Sequence, residues 1–484
     1  MSTMTHASAA PNMNRVLCVD LDGTLVATDM LWESLLVMMK TKPWKLVYLP
    51  LWLLKGKAYL KQQIANHAVL NPATLPYHVD VLEFLKTEKA RGREIVLATG
   101  SDRQLAEAVG QHVSLFSAIF ASDGSTNLVG RQKLTALQNY SRGNGFDYLG
   151  NGKVDLALWK AANEALVVHP SRRLLRTIQR QRNIDQVFLF PRRHLAHIMQ
   201  AIRVHQWVKN LLLFVPIALA HKLLESEPLL YLFFGFLSFS LCASSVYVLN
   251  DLLDLDSDRH HPDKKHRPFA SGNLPISTGF FLIPLLLCGS FLIAILFLPR
   301  LFAVVLGLYL ALTTAYSFYL KQLVIIDVLV LAGLYAVRIY AGAIVSDVRV
   351  SSWLLAFSIF MFLSLALIKR FSEITIIHRA REAIVNGRDY HFDDQNFVLT
   401  VGLVSGYLSS LVFMLYVNSP DVMSLYRNPQ YLWLACPLLL YWITRFWLIV
   451  HRDPIVDDPI AFALKDPANY AVGGALALIL FIAH

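Results

Sequence analysis

The sequence predicts two folds in one chain, an α/β domain with a parallel sheet followed by an all-α bundle of nine membrane-crossing helices. Three observations predict it. The 484 residues are 55% hydrophobic and 16% charged, with a formal net charge of +10. That is too apolar for one water-soluble domain and suits a chain that is part soluble, part membrane. Residues 1–190 alternate short apolar runs with polar helical stretches. From Asn210 onward, apolar runs of about 20 residues follow one another, the length that crosses ~30 Å of hydrocarbon. The boundary lies near the basic run Arg192 to His197. It divides the chain into a disordered start at 1–14, a soluble domain at 15–190 and a membrane domain at 191–484.

Within the soluble domain, "VLCVDLDGTL" at 16–25 has the pattern of a buried strand running into a loop, and "EIVLATGS" at 94–101 ends a second strand at Thr99. Strands alternating with helices imply a doubly wound sheet whose site lies at the carboxyl ends of its strands. Between these two strands, residues 28–92 read as a helical insertion. Its "WKLVYLPLWLL" at 44–54 is too short to span a bilayer and is flanked by Lys40, Lys42, Lys45, Lys55 and Lys57. This stretch is expected in the core of the insertion, an interfacial helix being the alternative.

The expected spans are roughly 207–222, 228–249, 277–297, 300–319, 323–345, 351–368, 396–418, 430–449 and 468–484. Met1 to Asn14 lacks the apolar core of a secretory signal, so the soluble domain is expected to stay in the cytosol. The first loop is then external. Loops on the cytosolic side hold twelve Lys and Arg against four outside, among them Arg381, Arg388 and Lys465, as the positive-inside rule requires. An integral protein of a bacterial inner membrane, with a cytoplasmic amino-terminal domain, is the expectation. The four cysteines, Cys18, Cys242, Cys288 and Cys436, have no metal or disulfide spacing and are expected in the core. Nothing in the pattern points to nucleic acid, and the oligomeric state stays open, a homo-oligomer included.

Charge is densest in "NDLLDLDSDRHHPDKKHRPFASG" at 250–272. If Asn250 to Arg259 continues the second span as helix, Asp251, Asp254 and Asp258 stand at i, i+3 and i+7. They then lie within about 60° of one another on a 3.6-residue period, while Asp256 points away. Three carboxylates on one face repel one another, and Mg²⁺ is the usual remedy, completing its shell with substrate phosphate. The cations Lys264, Lys265 and Arg267 can hold phosphate oxygens. A solvated loop obeying the positive-inside rule accounts for the lysines but not for the aspartates or their phase. Asp327 and Arg338 share one expected helix, nearly in phase but about 16 Å apart along it, so both should face the bundle interior without pairing.

The run Asn250-Asp251-x-x-Asp254-x-x-x-Asp258 resembles the first aspartate-rich motif of the UbiA superfamily of intramembrane prenyltransferases, whose fold is a bundle of nine transmembrane helices. With "RVHQWVKN" at 203–210, "YSFYLK" at 316–321, "DVLVLAGLYAVRIYAG" at 327–342 and "KRFSE" at 369–373, residues 195–484 resemble its decaprenyl-phosphate phosphoribosyltransferase branch. One departure supports that branch. Aromatic prenyltransferases of the superfamily carry a second aspartate-rich motif after the sixth span, where this chain has Lys369, Arg370 and Glu373. The resemblance implies transfer of 5-phosphoribosyl from phosphoribosyl diphosphate to a polyprenyl phosphate drawn from the membrane lipid. Asp251, Asp254 and Asp258 would carry Mg²⁺, and Lys264, Arg267, Lys321, Lys369 and Arg370 would clamp phosphates. Asn250, Lys209 and Tyr316 are further substrate contacts. An aromatic prenyltransferase consuming polyprenyl diphosphate is the alternative. A transporter is disfavoured because no inverted repeat is visible.

Asp20-x-Asp22-Gly-Thr24 resembles motif I of the haloacid dehalogenase superfamily, and "GRQKL" at 130–134 and "YLGNGKVD" at 148–155 follow in that family's order. The resemblance implies a Rossmann-type α/β fold with 28–92 as a helical cap. Asp20 would be the nucleophile, Asp22 the acid/base, and Thr99 and Lys133 the phosphate binders. Asp20, Asp22, Asn151 and Asp155 would hold Mg²⁺, Asn151 departing from the family's aspartate. Such a phosphatase would remove the 5-phosphate from the transferase product. A degenerate, structural domain is the alternative.

Overall fold

The structure, a computed structural model, describes residues 15–180, 184–189, 194–223, 225–261, 263–379, 389–454, 462 and 466–483. The expected disordered start, the domain boundary at 190/191 and the loop cations Arg381, Arg388 and Lys465 lie outside the described residues. The chain forms two compact units, one of Met1–Ala201 with Val248–Phe281, the other of Ile202–Tyr247 with Leu282–His484.

In the first unit, β1 (Val16–Val19) is followed by α1 (Met30–Thr41), α2 (Leu49–Leu54), α3 (Lys57–Ala65) and α4 (Val79–Ala90) before β2 (Ile95–Asp102). These four helices occupy the expected insertion. Then come α5 (Arg103–Val113), β3 (Ala118–Ser122), α6 (Arg131–Tyr140), β4 (Phe146–Gly150), α7 (Leu156–Ala161), β5 (Ala165–Val168), α8 (Arg172–Gln179), β6 (Gln186–Phe188) and α9 (His194–Ala201). All six strands are parallel, in the order β3-β2-β1-β4-β5-β6. Every residue of β1 is buried, as a strand covered on both faces requires. The order reverses between β1 and β4, so the loops after these two strands open the crevice in which such sheets bind ligands. Asp29 caps α1 by accepting from the Leu31 and Trp32 amides, and Asp102 caps α5 through Gln104.

The expectation that 44–54 packs as cap core is not met. No residue of the 3₁₀ turn Pro43–Tyr48 or of α2 is buried. Pro43 opens the six-residue 3₁₀ piece and Pro50 stands in the first turn of the six-residue α2, and two such short pieces cannot gather the apolar side chains into one stripe facing inward.

The second unit begins with a 3₁₀ segment, Val204–Phe214, running into α10 (Val215–Leu219). The next helices are α11 (Ser226–Leu253), α12 (Leu255–His260), α13 (Ile276–Phe297), α14 (Arg300–Phe318), α15 (Ile326–Val345) and α16 (Ser352–Arg379). They are followed by α17 (Gln395–Val417), α18 (Pro420–Leu425), α19 (Ala435–Arg452) and the last helix, α20 (Pro467–Ala483). Residues 248–281, which hold the end of α11, α12 and the start of α13, belong to the first unit. Among the described residues seven helices are long and apolar enough to cross a membrane. The first and ninth expected spans are the shorter apolar helices Val204–Leu219 and Pro467–Ala483. Helix α15 packs closely on the 3₁₀ segment because Gly342 has no side chain: a Cβ there would stand 2.0 Å from the Leu213 carbonyl oxygen. Three cysteines are buried as expected, but Cys288 is exposed. It lies on α13, the least buried of the seven spans, with 17% of its apolar window covered.

Candidate active sites

At the carboxyl end of β1, Asp20 is buried and accepts from two side chains, Thr24 Oγ1 at 3.3 Å and Lys133 Nζ at 2.8 Å. Lys133 enters from α6 and also donates to the Tyr148 hydroxyl at 3.1 Å, which in turn donates to Asp155 Oδ1 at 2.8 Å. Burial works against the charge on Lys133, yet Asp20 and Asp155 outweigh it and raise its pKa. The motif residues of β1, α6 and β4 thus form one connected polar chain. Tyr148 opens the stretch YLGNGKVD but was not singled out within it, where the acidic residue and Asn151 drew the attention. A phenol fully enclosed in a sheet needs a partner, however, and that was the available signal.

Asp22 faces the cap side. Its Oδ1 accepts from the Met30 amide at 2.8 Å, and its Oδ2 from Ser101 Oγ at 2.5 Å and Thr99 Oγ1 at 3.4 Å. Burial, and then the carboxylates Asp29 and Asp20, push its pKa up to about 7, the range of a working proton donor. Lys61, from α3, donates to the Gly100 carbonyl at 2.6 Å and Asn127 Oδ1 at 3.2 Å, a cap cation that motif matching did not single out. Asn151 lies against Gly23, whose φ of +71° and missing side chain admit it: a Cβ on Gly23 would sit 2.0 Å from Asn151 Nδ2. Asp155 Oδ2 accepts from the Asn151 and Gly152 amides. Asp20, Asn151 and Asp155 supply hard oxygen donors of the kind Mg²⁺ takes. Among the described residues no three acidic, cysteine or histidine side chains are gathered as a ready-made metal site.

The aspartate-rich stretch departs from one straight helix. α11 ends at Leu253, and Asp254 has φ −94° and ψ 11° before α12 begins. The stretch is therefore two helices meeting at Asp254 and not one unbroken helix. Asp251 and Asp258 converge on one atom, accepting from Arg267 Nη1 at 3.2 and 2.6 Å. Asp254 is half-buried and accepts from Asn250 Nδ2 at 3.0 Å. Asp256 points away as expected, exposed and accepting from Thr74 Oγ1 at 2.9 Å. Burial pushes the Asp258 pKa up to about 6, against the pull of Arg267. Lys264 is exposed beside this group.

The same stretch makes a contact the sequence could not show. Arg259 holds Glu33 of α1 in a bidentate pair, at 2.5 and 3.2 Å, with both side chains nearly excluded from solvent. A carboxylate within the buried stripe of α1 signals a distant cation without saying which one. Removing one member of a buried pair costs about 3–5 kcal/mol because the other charge is stranded, whereas an apolar pair of similar volume costs far less. Arg259→Met alone is therefore expected to lower the melting temperature of the detergent-solubilised protein more than Glu33→Leu with Arg259→Met together.

In the second unit, Arg370 is fully buried and ion-paired with Asp327, at 2.5 Å, and with Glu373. Tyr316 accepts from Arg370 at 3.3 Å, and Tyr390 donates to Asp327 at 2.8 Å. Arg338 is buried in a separate network, donating to Asn210 Oδ1 at 2.9 Å and to the Tyr309 hydroxyl at 3.0 Å. Asp327 and Arg338 thus both face the interior and do not pair with each other. Lys209 is buried with its ammonium 5.9 Å from the Tyr335 ring centre, while Lys321 and Lys369 are half-buried. Asn210 and Tyr309 were not singled out from sequence, because an amide and a phenol in apolar runs look like ordinary packing.

Comparison with known proteins adds to this geometry. The model of the UbiA prenyltransferase family matches residues 211–466, and that of haloacid dehalogenase-like hydrolases matches residues 17–160. An uncharacterised protein y4nM of Sinorhizobium fredii is 36% identical over 465 residues, 95% of this chain and 89% of that protein. The nodulation protein NoeC of Azorhizobium caulinodans is 35% identical, covering 58% of this chain and 92% of its own length. A decaprenyl-phosphate phosphoribosyltransferase of Mycolicibacterium smegmatis is 33% identical over 285 residues, 57% of this chain and 88% of that protein.

Proposed function

Since the chain belongs to the UbiA prenyltransferase family and carries a haloacid dehalogenase-like domain ahead of its membrane region, we propose that it is a phosphoribosyltransferase fused to a phosphatase. The donor is phosphoribosyl diphosphate and the acceptor a polyprenyl phosphate. The observation that carries this reading is the match to a decaprenyl-phosphate phosphoribosyltransferase over 88% of that protein's length. The 369–373 stretch supports it. Where an aromatic prenyltransferase would bring further carboxylates, this chain has Lys369 and Arg370, with the nearby Glu373 held by Arg370.

In the transferase, a phosphate oxygen of the lipid attacks C1 of the donor, the C1–O bond to diphosphate breaks, and diphosphate leaves with the electron pair. Mg²⁺, when bound, supplies charge neutralisation on the departing diphosphate. The convergence of Asp251 and Asp258 on a single cationic atom is the fit for such an ion. Arg267 marks the place where a cation is held, and Asp254 and Asn250 of the same stretch would be further oxygen donors. Lys264 and a released Arg267 would hold donor phosphates. Lys209, Lys321 and Lys369, with Tyr316, would hold the lipid phosphate, and Arg370 would keep that frame rigid through Asp327. The shorter apolar helices at each end are proposed to complete nine crossings.

In the phosphatase, Asp20 attacks the phosphorus of the ribose 5-phosphate and the P–O5 bond breaks. Asp22 gives its proton to the departing oxygen, then takes one from the water that releases phosphate. Lys133 and Thr99 hold the phosphate, and Asp155 with Asn151 would hold Mg²⁺. The product is polyprenyl-phosphoryl-ribose. Purified protein incubated with polyprenyl phosphate and donor labelled in the ribose is expected to carry label into the lipid fraction only with Mg²⁺ present, and added diphosphate is expected to inhibit. Should a prenyl diphosphate and 4-hydroxybenzoate react instead, the protein is an aromatic prenyltransferase and the donor assignment falls.

A further inference from the structure

The cap segment that fails to pack inward presents Trp44, Val47, Tyr48, Leu51, Leu53 and Leu54 to the outside, with Leu54 84% and Val47 76% exposed. Ordinary solvated surface scatters such side chains singly; here they fall within residues 44–54. The flanks are cationic. Lys40 and Lys42 precede, Lys45 lies within, Lys55 and Lys57 follow, and none of residues 34–79 is acidic. Two aromatic rings, Tyr48 and Trp52, stack with centroids 6.1 Å apart, and the Lys55 ammonium lies 5.1 Å from the Tyr59 ring centre. Such amphipathic rings prefer the headgroup level of a bilayer. Lysine stems can lie along apolar surface while their charges reach out to phosphate.

We propose that residues 43–57 are a monotopic membrane contact, seated in the headgroup region of an anionic leaflet. Charge selects this occupant. A second copy of the chain would bring a like-charged lysine rim against this one, whereas anionic headgroups offer the opposite sign beside an apolar interior. The chain's spanning helices keep a bilayer always at hand. This inference does not depend on the transfer or phosphatase reactions. If those hold as well, the contact keeps the cap where a lipid-linked phosphoester can reach it without leaving the membrane.

The test uses the full chain in nanodiscs of phosphatidylglycerol and phosphatidylethanolamine, with Cys288→Ser removing the exposed native thiol. Spin labels are placed at Val47→Cys and Leu54→Cys, with Glu107→Cys on α5, an exposed position, as the aqueous control. Relaxation by oxygen, which concentrates in lipid, is expected to exceed relaxation by a water-soluble nickel chelate at positions 47 and 54, with the reverse at 107. The oxygen preference should fall several-fold when Lys45, Lys55 and Lys57 are changed to Glu. Nickel-dominated relaxation at 47 and 54 would overturn the proposal. So would shielding from both agents, which would place protein, another copy included, over the patch. Melting temperatures of the labelled variants are measured alongside, so that an unfolded cap is not mistaken for a water-facing one.

Discussion

Asp20→Asn is expected to reduce phosphate release by at least about 10³-fold, as removal of a covalent nucleophile does, while label still enters the lipid fraction at the rate of the parent. The substitution is nearly isosteric. What it removes is the attacking oxygen and the charge that Lys133 faces at 2.8 Å. Lys133 keeps the Tyr148 hydroxyl at 3.1 Å, which is itself tied to Asp155, so the buried ammonium is not left without an acceptor and the domain should stay folded. The variant should therefore accumulate polyprenyl-phosphoryl-5-phosphoribose where the parent yields the dephosphorylated lipid and free phosphate. Tethering makes the effect large, because both activities on one chain raise the local concentration of the intermediate around the second site. Identical lipid products from parent and variant would remove the phosphatase assignment. Asn151→Asp would then show whether the missing negative charge is the cause, since restoring the carboxylate should restore release.

The strand VLCV and the loop after it were readable because a parallel strand covered on both faces is continuously apolar, and the acidic residues at its end then stand out. Lys133, which lies 113 positions from Asp20, was reachable only because three short motifs fell in a familiar order. Tyr148 stands in one of those motifs but was not picked out within it, and the pairing of Glu33 with Arg259 across 226 positions had no such help, since charge alone does not name its partner. The cap segment was misread for a physical reason. Apolar composition does not by itself mean burial, and two six-residue pieces, each opening on a proline at its first turn, leave the side chains outward. The aspartate phase was readable only in part, because a 3.6-residue period assumes an unbroken helix and the backbone leaves that geometry at Asp254. Even so, Asp251 and Asp258 meet: the backbone bonds from Asp254 to Asn250 and from Asp258 to Asp254 preserve the helical spacing through the junction.

That junction fixes the second large effect. Asp251→Ala and Asp258→Ala are each expected to lower phosphoribosyl transfer by about 10²–10³-fold, the loss typical when a group that stabilises developing charge is removed. Asp256→Ala should keep most of the activity. The two inner carboxylates are buried and share Arg267 Nη1. Removing either halves the negative charge available to a divalent ion and leaves Arg267 closed on the survivor, where it is less able to swing to a donor phosphate. Asp256 is exposed, and its hydrogen bond to Thr74 can be replaced by water. Asp254 discriminates between two versions of the site. If Asp251 and Asp258 alone hold the ion, Asp254→Ala should cost far less transfer than Asp251→Ala. If the Asp254 carboxylate also ligates the ion, its loss should match that of Asp251 and should be partly offset by raising the Mg²⁺ concentration. Transfer rates across a Mg²⁺ titration for the four alanine variants, each checked for membrane insertion and melting temperature, measure this directly. Equal losses at all four positions, with Asp256 as damaging as Asp251, would mean that the stretch acts through its overall charge and that no inner pair holds the ion.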